Sequence, residues 1–235
     1  MSQVKHTFFC ADLNYGLLNE DESIHANRVL RLKIGDEIRV VNGRGRAVIA
    51  RITSTGKKEV GYEIQHEIDN DVHPLHVHIA IAPTKNIDRF TFFLEKVTEL
   101  GCHEVSPIYT TNSERKILKT EKLKKGMISA LKQSGNLFLP RLNEPVDYKD
   151  FLAKNHREEV KLIAHCEEDE TKVRLQDKLQ KGKDVLILIG PEGDFTPEEV
   201  ILAKENSYSG VTLGNGRFRT ETAGILACHT AYLFL

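Results

Sequence analysis

Residues 184–200 read DVLILIGPEGDFTPEEV. The stretch opens on an apolar run, turns at Gly190-Pro191-Glu192-Gly193 and leaves with a helix-start signature. The uninterrupted aliphatics from Val185 to Ile189 suit a strand covered on both faces, as in a parallel sheet. Thr196 is a good N-cap, Pro197 suits the first helical position and Glu199 completes a capping box. A glycine turn between strand and helix often cradles phosphate. Here the residues speak against it. The turn carries no lysine, GxxxxGK[ST] is absent and no complete GxGxxG occurs in the chain. Asp194, Glu198 and Glu199 would also repel an anion at the helix start.

The turn therefore suits close backbone approach to a ligand carrying hydroxyls, ring nitrogens or positive charge. S-adenosylmethionine has all of these and no phosphate. Taken alone, the turn is equally well read as a tight connection that binds nothing. A second stretch, VTLGNGRFRTETAGILACHTAYLFL at 211–235, repeats the design: strand, glycine turn, helix opening near Thr220. From Thr222 to Leu235 no residue is formally charged. A helix apolar around nearly its whole circumference is buried in a core or against another subunit.

Outward from these loops, strand-like and helix-like runs alternate: LHVHIAIA, IDRFTFFLEKVTELG, EVSPIYT, ILKTEKLKKGMISALKQSG, VKLIAHC and TKVRLQDKLQKG. In IDRFTFFLEKVTELG, Phe90, Phe93, Leu94, Val97 and Leu100 recur at helical spacing. Such alternation predicts a mostly parallel sheet covered on both faces. Before about Asp71 the pattern is short and strand-like. Asn42-Gly43 between apolar runs predicts a hairpin, KEVGYEIQHEI a further strand, and EDESIHANRVLRL a short helix with Ile24, Val29 and Leu30 inward. The boundary falls near Asp71 to Pro74, giving domains 1–72 and 73–235.

Composition excludes several classes. The chain has 235 residues, 40% of them hydrophobic and 29% charged, an ordinary globular balance. A net charge of −1 means that any nucleic-acid surface must be local. The four cysteines, Cys10, Cys102, Cys166 and Cys228, form no CxxC pair, which argues for reduced thiols and against a cysteine zinc site. No secretory leader and no run of about 20 apolar residues is present, so a soluble, cytoplasmic protein with no membrane partner is expected. The histidines of HPLHVH (His73, His76, His78) lack a carboxylate or cysteine at ligand spacing. They read as the polar face of a strand, and no metal is expected.

Three motifs in order, HANRVLRLKIGDEI, IGPEGDFTPEEV and LGNGRFRTETA, with FLEKVTELGC and ISALKQSG between them, resemble the E-type ribosomal RNA small-subunit methyltransferase family, of the SPOUT class. The resemblance covers nearly the whole chain. It implies a PUA-like β-barrel domain over 1–72 and an α/β methyltransferase domain over 73–235 with a trefoil knot and a parallel sheet. It implies S-adenosyl-L-methionine as cofactor, a homodimer with the site between subunits, and methylation of uridine N3 in 16S ribosomal RNA of the small ribosomal subunit. Matched by motif, the cofactor residues are Leu188, Ile189, Gly190, Pro191, Glu192, Gly193, Leu213, Gly214, Phe218, Arg219 and Thr220. One departure is that Gly216 stands where the family often carries arginine, with Arg217 one place later.

Two basic clusters give the local footprint expected of phosphate-backbone binding. Seven Lys/Arg lie between His25 and Arg51 against Asp36 and Glu37, and seven between Glu114 and Lys132 against Glu114 and Glu121. RNA contact is assigned to Arg28, Arg31, Lys96, Arg115, Lys132 and Gln133; the run Glu167 to Glu170 reads as a solvated loop. The catalytic residues expected are Arg219, to stabilise charge on a deprotonated uracil, and Glu221, to accept the proton or merely cap its helix. Two other readings stand: a related knotted methyltransferase acting elsewhere on RNA, and a ribosome-assembly factor that binds RNA without catalysis.

Overall fold

The computed structural model describes residues 4, 6–56, 58–70, 76–167 and 171–234. The expected boundary at Asp71 to Pro74, with His73, lies outside them, as do Glu168 to Glu170 of the acidic run. Contacts divide the chain into a unit of Met1–His73 with Ile128–Leu139 and a unit of Pro74–Met127 with Pro140–Leu235.

The first unit is built on β1 (Thr7–Phe9), β2 (Leu17–Leu18), α1 (Glu20–Ile24), β3 (Glu37–Val41), β4 (Arg46–Thr55) and β5 (Val60–Asn70). Its strands make one sheet in the order β1-β3-β4-β5-β2, with β1 parallel to β3 and the other pairs antiparallel. The expected hairpin joins β3 to β4, and β4 meets β5 with three register shifts that bend the pair. Phe8, Ile38, Val40, Val48, Ala50 and Ile52 fill the core beneath. The short helix corrects the sequence reading. After α1, His25–Val29 winds as a π-helix in which Leu30 N–H donates to His25 O. The wider turn rotates the face, so Ala26 is buried while Val29 stands 67% exposed, and Ile24 and Leu30 are only half-buried.

The second unit holds β6 (Val77–Ile81), α2 (Ile87–Glu99), β7 (Glu104–Tyr109) and the start of α3 (Thr120–Ser134), whose residues from Ile128 belong to the first unit. There follow β8 (Arg141–Leu142), β9 (Val146–Asp147), α4 (Tyr148–Leu152), β10 (Val160–Ala164), β11 (Val173–Arg174), α5 (Leu175–Lys178), β12 (Val185–Ile189), α6 (Pro197–Glu205), β13 (Ser209–Thr212) and α7 (Thr220–Phe234). The sheet runs β11-β13-β10-β12-β6-β7-β8, and every pairing in it is parallel. Central β12 lies between β10 and β6, and all five of its residues are buried, as its aliphatic run requires. Helix α2 buries Phe90, Phe93, Leu94 and Val97, the expected stripe; Leu100 is its half-buried C-cap.

TKVRLQDKLQKG, expected to be helical, is helical only from Leu175 to Lys178. Val173 pairs with Val211 at the sheet edge, one turn of helix follows, and Leu179 is extended again. Only Leu175 of that turn is buried, so there is no apolar face to hold a longer helix. Helix α7 buries the stripe Thr220, Gly224, Ala227, Cys228 and Ala231 against α2, β6 and β12. At its end the apolar side chains of Tyr232, Leu233 and Phe234 are exposed in the single chain. Among the described residues no helix is long and apolar enough to cross a membrane.

Candidate active site

Parallel neighbours β12, β10 and β13 end side by side, so the loops after them converge at one edge of the sheet. They enclose a cavity of about 310 Å³ lined by Ala164 to Glu167 after β10, Ile189 to Phe195 after β12, and Val211 to Leu213, Gly216 to Phe218, Thr220 and Ala223 around the last loop.

The Gly190 turn is held from several sides. Asp194 sits in the left-handed region at φ 62° and its carboxylate accepts from Phe195 N–H at 2.8 Å and from Cys166 N–H at 2.7 Å, tying the turn to the end of β10. Asn112 Nδ2 donates to the carbonyls of Gly193 and Asp194, both at 3.1 Å. Glu192 Oε1 accepts from Lys85 N–H at 3.0 Å. At Gly190 a Cβ would stand 3.1 Å from the buried Phe195 ring, which explains the glycine. The capping box forms: Thr196 Oγ1 accepts from Glu199 N–H at 3.2 Å and Glu199 Oε2 from Thr196 N–H at 2.9 Å. Glu199 Oε1 also accepts from Thr111 N–H at 2.8 Å, so the helix start is fastened to the loop after β7. Bonding to its own peptide N–H and to Thr196 holds the exposed Glu198 carboxyl below its usual range. An anionic helix start of this kind does not attract phosphate.

In the second loop Thr212 Oγ1 donates to Gly214 O at 2.8 Å, closing the bend. Arg219 precedes α7 and its carbonyl accepts from Ala223 N–H at 2.8 Å, while its side chain is exposed. Thr220 lines the cavity, and its Oγ1 is buried without a hydrogen-bond partner. Glu221 is 7% exposed; Oε1 lies 3.9 Å from Arg89 Nε and Oε2 has no hydrogen bond.

Of the residues expected to hold the cofactor, Ile189, Gly190, Pro191, Glu192, Gly193, Leu213, Phe218 and Thr220 line this cavity. Leu188 does not: it is wholly buried in the core between sheet and helices. Gly214 and Arg219 flank the lining without joining it, and Arg217, one place off the family position, lines it. The sequence reading missed Ala164 to Glu167. The run VKLIAHC marks a strand end, but sequence does not say that this strand lies between the other two.

The residues assigned to RNA contact fall into two groups. Arg28, Arg31 and Gln133, in the first unit, are exposed, and neither arginine forms an ion pair among the described residues. Arg31 ends the π-helix in the left-handed region at φ 55°. The others are engaged within the fold. Lys132 Nζ pairs with the buried Glu22 at 2.6 Å, and Lys96 Nζ pairs with Glu99 at 2.7 Å above the Phe92 ring. Arg115 donates to Thr84 O at 3.0 Å and Lys85 O at 2.6 Å.

His76 and His78 are not a solvated strand face. They are 9% and 3% exposed, and two carboxylates distant in sequence join them, Glu104 from β7 and Glu158 from just before β10. His78 Nδ1 lies 2.8 Å from Glu158 Oε1, and His76 Nε2 lies 3.0 Å from Glu104 Oε2. Burial disfavours charge on His76, but the two carboxylates outweigh it and raise its pKa to about 9. Burial would likewise push Glu104 and Glu158 up, yet the histidines beside them hold both well below the usual carboxylate range. Spacing along the chain could not reveal a set whose members are brought together only by the sheet.

The sequence profile of an RNA methyltransferase domain matches residues 71–232, and that of an RNA methyltransferase PUA domain matches 18–61. "Ribosomal RNA small subunit methyltransferase E" of Rickettsia conorii is 29% identical, over 89% of this chain and 86% of its own. Among solved structures, a "probable rRNA-methyltransferase" from Porphyromonas gingivalis is 36% identical with a TM-score of 0.90, covering 98% of both chains. Ribosomal RNA small subunit methyltransferase E from Neisseria gonorrhoeae, bound to S-adenosyl methionine, is 30% identical with a TM-score of 0.82, covering 95% of this chain and 94% of that one.

Proposed function

The chain belongs to the ribosomal RNA small subunit methyltransferase E family, and on that premise we propose that it transfers a methyl group from S-adenosylmethionine to N3 of a uridine in 16S ribosomal RNA. The observation that carries the proposal is the cavity at the ends of β10, β12 and β13, closed by two glycine bends and lined by Glu167, Glu192 and Asp194 with Arg217. These residues fit the cofactor. Glu167, Glu192 and Asp194 suit a cationic ligand without phosphate, Ile189, Leu213 and Phe218 supply apolar surface, and the orphaned Thr220 Oγ1 waits for a polar partner.

When bound, the cofactor supplies an electrophilic methyl on a sulfonium. The protein's own contribution is positioning, because reacting atoms must be held about 3–3.5 Å apart. Leu188 supports the site from the core behind it, and Gly214 through the bend it forms. Uridine N3 is a weak acid whose edge is paired in a helix, so the base must be unpaired or flipped out. Arg219, exposed and adjacent to cavity-lining Thr220, stabilises the negative charge that spreads onto the uracil carbonyls. Glu221, with a buried oxygen lacking a hydrogen bond, accepts the N3 proton. Arg28, Arg31 and Gln133, exposed on the first unit, grip the RNA backbone, while Lys96, Arg115 and Lys132 stay with their partners inside the fold.

The active form is a homodimer. Its support is α7, whose exposed Tyr232, Leu233 and Phe234 leave an apolar end uncovered in the single chain. The loops after β12 and β13 form a trefoil knot, in keeping with a last helix that returns to α2, β6 and β12. A ribosomal RNA substrate supports a cytoplasmic location. The test is nucleoside mass spectrometry of small-subunit ribosomal RNA incubated with the pure protein and labelled cofactor. Label in 3-methyluridine is expected; label in another nucleoside, or none, refutes the assignment.

A further inference from the structure

We propose a divalent transition-metal site, with zinc the ion that fits best, formed by His76, His78, Glu104 and Glu158 at the amino ends of the strands. This is the opposite edge of the sheet from the cofactor cavity. His76 immediately precedes β6 and His78 is its second residue, Glu104 opens β7, and Glu158 precedes β10. One ligand atom from each lies within 4.8 Å of the others, and all four residues are at least nine-tenths buried.

The donor atoms already stand at near-metal spacing. His76 Nε2 is 3.0 Å from Glu104 Oε2 and 3.4 Å from Glu158 Oε1, and His78 Nδ1 is 2.8 Å from Glu158 Oε1. A tetrahedral ion with bonds of about 2.0–2.1 Å holds its ligands about 3.3–3.4 Å apart. Small outward shifts therefore admit the ion. His76 Nε2 is buried and faces both carboxylates at ion-pair distance, without the alignment of a full hydrogen bond to either. The two carboxylates converge on this one nitrogen and favour a cation there, so an arriving metal takes the place of the His76 proton.

The surrounding groups orient ligands as metal sites require. Ser106 Oγ sits 2.8 Å from His78 Nε2, which fixes the ring with Nδ1 toward the carboxylate. Asn143 Nδ2 and Arg141 Nη2 hold Glu104 Oε1 at 2.7 and 2.6 Å, leaving Oε2 free to ligate. Arg157 Nη2 donates to His76 Nδ1 at 2.5 Å and competes with the metal, because ligation through Nε2 needs the proton on Nδ1. Arg157 is exposed and can swing into solvent. Imidazole ligands favour zinc, cobalt or iron over magnesium, and two histidines with two carboxylates around one point suit a tetrahedral ion. Such an ion clasps β6, β7 and the approach to β10 together.

The experiment is titration of the full chain, stripped by chelator, with Zn²⁺ in a calorimeter and with Co²⁺ in a spectrophotometer. The expected result is one equivalent per chain, tetrahedral visible absorption from cobalt, and a rise in Tm of about 5–10 °C with zinc at about a hundred times its Kd. His76→Ala should weaken zinc binding by at least about tenfold, and Arg157→Ala should tighten it while keeping every ligand. Should His76→Ala fail to fold, the wild-type stoichiometry and the Arg157→Ala shift still decide. Absence of stoichiometric binding to the wild type, or affinity unmoved by both substitutions, overturns the site and leaves a buried ion network.

Discussion

Arg219 and Thr220 are adjacent in sequence and differ in environment. Thr220 is buried in the cavity wall, and Arg219 projects into solvent beside it. A residue that acts on the base and not on the cofactor needs that outward position. Arg219→Ala is therefore expected to abolish methyl transfer in a labelled-cofactor assay, with calorimetric cofactor affinity unchanged; retained turnover removes Arg219 from the chemistry. Arg28 and Arg31 lie on the first unit and the cavity on the second, so their roles should separate. Reversing both to Glu is expected to lower RNA affinity and to reduce the salt-dependence slope by about 0.7 per arginine for single-stranded RNA. Falling cofactor affinity in that variant contradicts the division. Lys132 and Arg115 show what sequence conceals. A basic residue in a basic run looks available, yet Glu22 and the carbonyls of Thr84 and Lys85 already hold these two.

At the scale of elements, the readable parts were those whose signal is local. The capping box at Thr196, the stripe of α2 and the aliphatic run of β12 each carry their structure in a few adjacent residues. Elements decided by tertiary partners were misread. The segment after Thr171 has charged residues of good helix propensity, but Val173 finds a strand partner in Val211. The π-helix at His25–Val29 has no signature in composition, so the buried position fell to Ala26 and not Val29. Helix α7 was expected to be buried, and the structure shows how closely one face packs. At Gly224 a Cβ would stand 2.5 Å from Phe93 Cε2 and 2.9 Å from Ile81 Cδ1. Gly224→Ala is expected to destabilise the protein by about 1–3 kcal/mol, read as a lowered Tm in thermal unfolding. A Tm unchanged or raised would mean that α7 seats less tightly on α2 and β6.

For the whole molecule, a parallel sheet was legible because apolar runs and amphipathic runs alternate, but strand order was not. That order decides both sites. It seats the end of β10 between those of β12 and β13, adding Ala164 to Glu167 to the cavity, and it brings Glu104 and Glu158 to the histidines of β6. The uncovered end of α7 belongs to this scale as well. Tyr232→Glu with Leu233→Glu is expected to convert a sedimenting dimer to monomer and to abolish methyl transfer; a wild type that sediments as a monomer contradicts the dimeric form. What everything else depends on is a cofactor seated against two glycine bends. The most direct measurement is a crystal structure of the protein with S-adenosylmethionine. Ligand against Ile189 to Gly193 and Leu213 to Thr220 is the result expected; ligand bound elsewhere, with both bends empty, contradicts it.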